Sequence, residues 1–587
     1  MTTDVHHSDT GDPQEHPPQP RVDGDGIPRW IHDQLSEKKS LRIWQKHKIT
    51  IFAVMALLTA GVVRLAGFDV VAISLSGMIC LGIGFQCGIF LLRKSFSRSH
   101  PITAIARTMI EEAVNTKLSV ILVLLVVVIL PTLPLLLDAD ERLSYRVQFF
   151  LSWSLSGTML LLAMLVISLC CHSIADDIES HQIHMAFSKP LRKWEYLLGK
   201  WLGVASISFL LVTLAGIGIY TFTTVLARSN AVDSQDRLDV QEQVLTARAV
   251  AKPVHPSGDA FDQSIETTIA EIRERDPALF DKNPTGARKK IISQRIHEWH
   301  TVTSDVYSSY LFQNLNEAKD RTPIIQLRLE PWADNSGISE AKVRFAMWLN
   351  ERPFPVQNGI HETYTFRQGV IQTLDLPTSV IDEDGQLKIT IANKNLVMAG
   401  EDVPTSISFT PGDGLEVLYR VGSFEMNFIR SLLIILWKLV MISAVALAAA
   451  TWLGFPTALL TSLMVYFTAT ANSFFADAID IYTGLDSKGA TLTSMFRMRS
   501  RLFLERVNKF EWWEATKTIG SYLADSFLSL IPSFGNYDSI TQLATGRLVP
   551  LQEVGLGFLI LGIFYPSILL FAGWVLLERR DLVSTSS

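Results

Sequence analysis

The chain has few charged residues, and nothing in its composition indicates a nucleic-acid partner. Only 19% of its 587 residues are charged, compared with roughly 25% in soluble domains. The mean hydropathy is +0.24, so the composition predicts a membrane protein. The net charge of −6 is small for this length and argues against binding to nucleic acid.

Cysteine and histidine are too sparsely placed to predict a metal site. The four cysteines all lie in or beside apolar runs, at Cys80, Cys87, Cys170 and Cys171, which indicates neither a disulfide framework nor a cysteine metal site. His297 and His300 have a spacing that zinc can use, but no third ligand is evident. No Ser/His/Asp or Cys/His grouping stands out, so we expect no enzyme activity, metal or cofactor in this chain.

The sequence contains no G-x-x-x-x-G-K-[ST] loop for nucleotide phosphates. The nearest string ends in Gly199-Lys200, but Trp201 stands where Ser or Thr would hold magnesium, and the upstream glycine is missing. If ATP drives this protein, ATP and magnesium must therefore be held by a separate polypeptide.

Long apolar runs dominate the rest of the chain. About 20 residues cross a bilayer as a helix, and eight runs are candidate spans: Ile49–Val63, Val70–Leu92, Leu118–Leu137, Phe149–Leu169, Trp201–Leu226, Ser431–Trp452, Pro456–Thr470 and Val554–Leu577. Residues 1–40 are polar and proline-rich, lack the apolar segment of a signal peptide, and are predicted to be a disordered cytoplasmic tail. The sequence predicts an all-α polytopic membrane protein of about eight transmembrane helices.

Lys and Arg in the short flanks predict the orientation. Basic residues precede the first span, separate the second from the third, and follow the fourth and the last, whereas the loop 138–142 is acidic. The positive-inside rule then places both termini in the cytoplasm. The basic segment 495–517 would also suit the cytoplasm, but the span count places it outside, and the rule weakens in long loops.

A polar block at residues 227–422 is predicted to be an extracytoplasmic α+β domain inserted between the fifth and sixth spans. Residues 234–315 are charged and are predicted to be helical. Residues 323–421 alternate apolar and polar side chains, as at Ile325, Leu327 and Leu329, which is typical of half-buried strands. Short strands at this spacing predict a β-sandwich.

The segment Cys171–Gly203 lies between the fourth and fifth spans and is too highly charged for a simple connector. Acidic residues and two histidines are followed by a basic end, which predicts a surface for a soluble partner. Upstream, His100–Lys117 carries an apolar stripe at helical spacing. It predicts an amphipathic helix on the inner membrane surface, or else a short solvated linker helix.

This order of elements resembles the type-2 permeases of ABC transporters. The residues that carry the resemblance are Glu179, Ser188-Lys189-Pro190, Arg192, Trp194-Glu195-Tyr196 and Gly199-Lys200, with Ala104, Ile105 and Arg107 upstream and Glu578 to Leu582 at the end. The run from Ile531-Pro532 to Gly546-Arg547 resembles the copper-enzyme-maturation branch. The resemblance covers residues 101–226 and 424–582.

The resemblance implies a homodimeric permease in a bacterial plasma membrane, in contact with lipids and with a cytoplasmic ABC ATPase subunit that holds ATP and magnesium. It implies an ATPase-coupling segment within residues 172–200, formed by Asp176, Asp177, Glu179, His181, Lys189, Pro190, Arg192 and Lys193. The permease core would comprise residues 100–226 and 423–587, including an outer loop at 476–551. Two extra spans within residues 41–99 and the inserted domain depart from the minimal pattern and leave the substrate open.

One charged residue, Lys438, falls inside an apolar run. It would line a translocation path if the span starts at Ser431. If Phe424–Ile435 instead lies along the outer membrane surface, Lys438 would extend its ammonium to the interface, and this second interpretation is favoured.

Three functions follow from these patterns. The favoured one is the permease subunit of an ATP-driven exporter of unknown substrate, which works by alternating access at the dimer interface. The second is a non-transporting mechanotransmission complex, in which the outer domain acts on an envelope enzyme or polymer. The third is a sugar-binding outer module on an inert anchor.

Overall fold

The computed structural model describes residues 61, 69–96, 100–136, 142–180, 191–254, 259–275, 291, 294–303, 307–333, 342–357, 360–395, 405–410, 412–483, 500, 503–504, 507 and 512–579. Residues 1–83 and 84–587 form two units. The described part of the first unit is Gly61 and the beginning of one helix. The second unit holds the remaining helices and all the strands described below.

The helices follow the apolar runs closely. In chain order they are α1 (Asp69–Ser95), α2 (Pro101–Asn115), α3 (Lys117–Thr132), α4 (Leu143–Glu179), α5 (Lys193–Leu226), α6 (Ser234–Asp239), α7 (Asp259–Arg275), α8 (Asn316–Arg321), α9 (Phe424–Trp452), α10 (Phe455–Thr483), α11 (Trp512–Leu530), α12 (Ser539–Ala544) and α13 (Leu551–Arg579).

Six helices are long and apolar enough to cross a membrane: α1, α4, α5, α9, α10 and α13. They match six of the predicted spans. Helices α2 and α3 pass the same test only as a pair, bent by 72° at their junction, and counting this pair gives seven spans among the described residues. The first predicted span, Ile49–Val63, lies outside the described residues except for Gly61, so the count of eight stays a prediction.

The segment Cys171–Gly203 is mostly helix, not loop. Helix α4 continues to Glu179 and α5 begins at Lys193. The α4 extension contains no Gly or Pro that would stop a helix, so charged residues simply continue the last turns beyond the apolar run. The predicted residues Asp176, Asp177 and Glu179 therefore lie on the end of a long helix. Residues 181–190 lie outside the described residues.

The inserted domain is rich in antiparallel strands. They are β1 (Thr246–Ala251), β2 (Thr301–Val302), β3 (Tyr307–Phe312), β4 (Ile324–Leu329), β5 (Pro331–Ala333), β6 (Lys342–Leu349), β7 (Arg352–Phe354), β8 (Val356–Gln357), β9 (Ile360–His361), β10 (Tyr364–Arg367), β11 (Gln372–Pro377), β12 (Leu387–Asn393), β13 (Ile407–Phe409) and β14 (Leu415–Ser423). One sheet has the order β1-β14-β4-β11, and a second has the order β10-β6-β12-β3 with β7 beside β6.

These two sheets enclose one hydrophobic core, as expected of a β-sandwich. Leu327 and Val417 from the first sheet share a buried cluster with Phe345 and Ile389 from the second. The predicted alternation holds, since Ile325, Leu327 and Leu329 are all fully buried. The other face of the first sheet carries polar side chains and forms the junction described below.

The prediction that residues 234–315 are helical is wrong in part. It contains helices α6 and α7, but also the strands β1, β2 and β3. The sequence of β1, TARAVA, is rich in alanine, which favours helix in isolation. All six residues of β1 pair with β14, and this pairing overrides the helical preference, because strand formation depends mainly on neighbouring strands.

Strand β14 passes directly into α9. The strand ends at Ser423 and the helix begins at Phe424, seven residues before the predicted start of the span at Ser431. Helix α9 is continuous to Trp452, so the segment Phe424–Ile435 is not set apart as a helix on the membrane surface.

Candidate coupling site at the ends of α4 and α5

Two glycines allow α5 to pack closely on the amphipathic helix α2. A Cβ atom at Gly199 would lie 2.7 Å from Cβ of Ile105 and 2.9 Å from the carbonyl oxygen of Ile102. A Cβ at Gly203 would lie 2.8 Å from both the carbonyl oxygen of Ala106 and Cβ of Met109. Small residues four apart form a flat strip that a second helix can approach. The close contact between α2 and α5 therefore requires glycine at both positions.

Lys200 lies between these glycines and carries the central charge of a buried polar cluster. Its Nζ is 2.8 Å from Oδ2 of Asp177 on α4 and 3.2 Å from Oε2 of Glu112 on α2. Nζ also donates a hydrogen bond to Oγ of Ser173 on α4. The Lys200 side chain is 4% exposed, so almost all of its contacts are with protein.

Two further hydrogen bonds complete this group, which we call the helix-end cluster: Glu112, Ser173, Asp177, Tyr196 and Lys200. The Ser173 hydroxyl donates to Oε2 of Glu112 at 2.7 Å. The Tyr196 hydroxyl donates to Oδ2 of Asp177. Each carboxylate thus receives a lysine and a hydroxyl, which offsets much of the cost of burying charge. The cluster joins α2, α4 and α5 at one end of the bundle.

The predicted coupling residues separate into exposed and internal groups. Asp176, Glu179 and Arg192 are exposed, and Arg192 caps α5 through its backbone, with the Glu195 carboxylate accepting its N–H at 3.1 Å. Asp177 is instead turned into the helix-end cluster.

Lys193 also contacts the protein itself. Its Nζ donates to the carbonyl oxygen of Leu577 at 3.1 Å, near the end of α13. A cation there complements the negative end of the helix dipole. His181, Lys189 and Pro190 lie outside the described residues, so their coupling role stays a prediction.

The sequence did not predict the helix-end cluster. Tyr196 and Lys200 were named only in the strings that carry the family resemblance, Lys200 also in a basic end, and Glu112 and Ser173 were not singled out. A signal was present for Lys200, because a lysine directly after Gly199 and three residues before Gly203 on an apolar helix lies beside the strip that the glycines form. Nothing in the sequence pairs it with Glu112, which is 88 residues away.

The opposite end of α4 is held by the inserted domain. Asp236 on α6 is fully buried, and its carboxylate accepts hydrogen bonds from the N–H groups of Leu143 at 2.7 Å and Ser144 at 3.0 Å. The Ser144 hydroxyl adds a third, at 2.9 Å. These are the first residues of α4, so Asp236 caps this helix from a distant part of the chain.

The electrostatics of this cap favour the ionised carboxylate. Burial raises the pKa of Asp236, but hydrogen bonds from Ser144, Leu143 and Val232 outweigh burial and hold the pKa below its ordinary value. The 37 residues of α4 span about 55 Å at 1.5 Å per residue. This one helix therefore connects Asp236 with the helix-end cluster.

A second junction joins the first sheet to the segment before α13. Glu416 on β14 is fully buried and lies 2.8 Å from Nη2 of Arg547 and 3.2 Å from Nη1 of Arg328. The backbone of Arg248 on β1 exchanges hydrogen bonds with Gly546 and Leu548. The sheet is thus attached to α13 as well as to α9.

Lys438 lies inside α9 and is 5% exposed. Its Nζ sits 5.3 Å from the ring centroid of Phe534, which stabilises a desolvated cation. Among the described residues, no group of three or more His, Cys, Asp or Glu side chains could hold a metal ion.

Residues 99–241 match the sequence profile of a family described as ABC-2 family transporter protein. The matched region contains α2 to α6, and with them the helix-end cluster and the Asp236 cap. No curated protein and no solved structure matches the chain. The match shows a similarity to ABC-2 family transporters over this part of the chain, and the six apolar helices support a multi-pass membrane protein.

Proposed function

We propose that this chain is the permease subunit of an ATP-driven exporter and receives energy at the end of α4 from a separate ATPase. The observation that carries the proposal is the helix-end cluster. It fixes Asp177 to Glu112 and Lys200 inside the protein, while Asp176, Glu179 and Arg192 remain exposed beside it.

The mechanism follows from the ion pairs and hydrogen bonds that join α2, α4 and α5 in the helix-end cluster. A partner that moves the exposed end of α4 also moves α2 and α5, because separating Lys200 from its carboxylates would leave buried charges uncompensated. The three helices then shift as one body, as packed helices do in rigid-body transitions. Substrate would move at the interface of a permease dimer in a bacterial plasma membrane, with both termini cytoplasmic.

Two finer assignments belong to this proposal. Lys438 is offered as a residue of the translocation path, because burying a lysine within a span is costly and such residues commonly mark a substrate or ion pathway. The copper-enzyme-maturation branch is offered as the subgroup, from the run Ile531-Pro532 to Gly546-Arg547.

A second candidate function is mechanotransmission without transport. The observation that favours it is the Asp236 cap, with the direct passage of β14 into α9. Because the inserted domain holds α4 at its far end and continues into α9, movement of these helices would move the domain. The domain would then act on an envelope enzyme or polymer.

Co-purification tests the shared basis of both functions. A tagged chain from its native membrane should retain an ABC ATPase, and Glu179→Lys or Arg192→Glu should release it or abolish stimulation of ATP hydrolysis. The matched control is Asp384→Lys, a charge reversal at an exposed turn of the inserted domain. If the wild-type chain retains no ATPase, both functions are wrong.

A distance measurement separates transport from force transmission. Spin labels at Asp384→Cys in the two subunits of the dimer would report the inserted domains during ATP hydrolysis, in a background without the four native cysteines. A change in their separation supports mechanotransmission, whereas an unchanged separation supports a permease with a static outer domain.

A further inference from the structure

A cavity of about 610 Å³ lies on the polar face of the first sheet, where β14 approaches α9. Its lining includes Arg248, Arg321 and Arg420, together with Gln326 and Glu242. We call it the arginine cavity. Its lining includes three arginines and one glutamate, and Arg321 also forms an ion pair with Glu317 at 2.9 Å. Counting Glu317 as well, a net positive charge remains.

Two of these arginines face each other across neighbouring strands. Arg248 on β1 is the register partner of Arg420 on β14. The backbone of Arg248 also forms an isolated parallel β-bridge with Arg547. Like charges directly opposite each other in an antiparallel pair are destabilising. Arg547 has Glu416 at 2.8 Å to balance it. Arg248 and Arg420 form a pair that a bound anion would stabilise.

Arg248 is held rigidly by neutral groups. Its Nη1 donates to Oε1 of Gln326 at 2.6 Å, and Nη2 donates to the carbonyl oxygens of Gln243 and Thr545 at 2.8 and 2.9 Å. The residue is 5% exposed, and its Nε finds no acceptor among the described residues. Burial, together with Arg328 and Arg547, lowers the pKa of Arg248 to about 10, so it stays charged at neutral pH.

The arginine cavity lies next to the start of a membrane span. Residues 418–422 line the cavity, and α9 begins at Phe424. An apolar groove of about 500 Å³ lies between α5 and α9, and Tyr220 and Glu425 belong to its lining. A cationic cavity beside an apolar groove matches the two parts of an anionic lipid.

We propose that the arginine cavity binds a phosphate group. Arginine favours phosphate because its planar guanidinium offers paired donors to two oxygens, and the volume exceeds what a single carboxylate needs. The phosphate would come from the headgroup of a lipid at the membrane surface or from a soluble phosphate ester. The adjoining groove favours the lipid.

Direct binding to the full chain in dodecyl maltoside micelles, which contain no phosphate, tests this. One arm uses phosphatidylglycerol with a fluorescent acyl chain, and the other uses glycerol 1-phosphate. Arg420→Gln and Arg321→Gln, at exposed positions, should each weaken binding about tenfold, since each removes a charge-assisted contact. The matched control is Arg367→Gln, at an exposed arginine on the second sheet, which should bind like wild type.

The outcomes are distinct. Weaker binding of the lipid by both variants, without binding of glycerol 1-phosphate, identifies a lipid site, and the reverse pattern identifies a soluble ester. If neither probe binds, or if both cavity variants bind like the control, the proposal is wrong. Melting temperatures close to wild type would exclude unfolding as the cause. Neither arm uses an ATPase or a transport assay, so the proposed function is tested separately.

Discussion

Nζ of Lys200 lies 2.8 Å from Oδ2 of Asp177, and this ion pair fixes the last turns of α4 to the first turns of α5. The side chains are 4% and 17% exposed. A second pair, Arg107 with Glu111 on α2, has a similar distance of 3.1 Å but side chains that are 48% and 43% exposed. Comparing the two pairs isolates the effect of burial.

Removing the lysine should be strongly destabilising. Lys200→Met keeps much of the apolar stem but leaves Asp177 and Glu112 without their cation, and breaking a buried pair typically costs about 3–5 kcal/mol. Arg107→Met should cost no more than about 1 kcal/mol, because exposed pairs contribute little. The measurement is the free energy of unfolding in detergent micelles. Equal losses in the two variants would show that the helix-end cluster is not a buried structural unit.

The glycine contact between α2 and α5 gives a second prediction. Gly199→Ala places a Cβ atom 2.7 Å from Cβ of Ile105, so the helices must move apart at a cost of about 1–3 kcal/mol. Gly157→Ala on α4 is the control, because no atom lies within 4 Å of the added Cβ, and alanine favours helix over glycine by about 1 kcal/mol. The melting temperature should fall in the first variant and not in the second. A similar fall in both would contradict the close packing.

The Asp236 cap predicts a dependence of stability on pH. Its pKa is lowered in the folded protein, so the ionised carboxylate contributes stability above the unfolded pKa of about 3.9. That contribution is lost as the pH falls through the lower folded value. Asp236→Asn should therefore be less stable than wild type at pH 7, by about 1–2 kcal/mol, and the difference should shrink towards pH 3.

Asp384→Asn is the control for this series, because Asp384 lies in an exposed turn. It should follow the wild-type melting curve at each pH. A difference between Asp236→Asn and wild type that stays constant from pH 7 to pH 3 would mean that the carboxylate charge does not hold the end of α4.

The apolar runs and alternating strands were predictable because each depends on local sequence. Six spans and the sandwich strands, such as Ile325 to Leu329, follow from hydropathy and period alone. The start of α9 at Phe424 and the extension of α4 to Glu179 could not be predicted from the local sequence, because helix ends depend on packing neighbours and on capping residues. Asp236, which caps α4 from 93 residues away, is such a neighbour.

The coupling residues show the same division. Asp176, Glu179 and Arg192 are exposed, which is expected of any charged helix end, and their role as a docking surface stays a prediction. Asp177 has the same local sequence character but is internal, and only the packing of α2 and α5 explains why. Charge alone cannot distinguish a side chain that contacts a partner protein from one that contacts other residues of its own chain.

The junction between the inserted domain and α13 gives a last prediction. Arg547 and Glu416 are 2.8 Å apart, with side chains 21% and 0% exposed, whereas Lys252 and Asp413 are 3.0 Å apart and 51% and 63% exposed. A double-mutant cycle with Arg547→Gln and Glu416→Gln should give a coupling energy of at least about 1 kcal/mol. The cycle for Lys252→Gln and Asp413→Asn should give less, because solvent screens that pair.

The size of this coupling energy bears directly on force transmission. Hydrogen exchange at residues 545–549 supplies the local readout. Arg547→Gln should speed it, because Glu416 would lose its nearest partner and keep only the longer contacts with Arg328 at 3.2 Å and Lys252 at 3.9 Å. A coupling energy no larger than that of the exposed pair would mean that the first sheet and α13 are not rigidly joined. Movement of α13 could then occur without the inserted domain, and mechanotransmission would depend on the Asp236 cap and α9 alone.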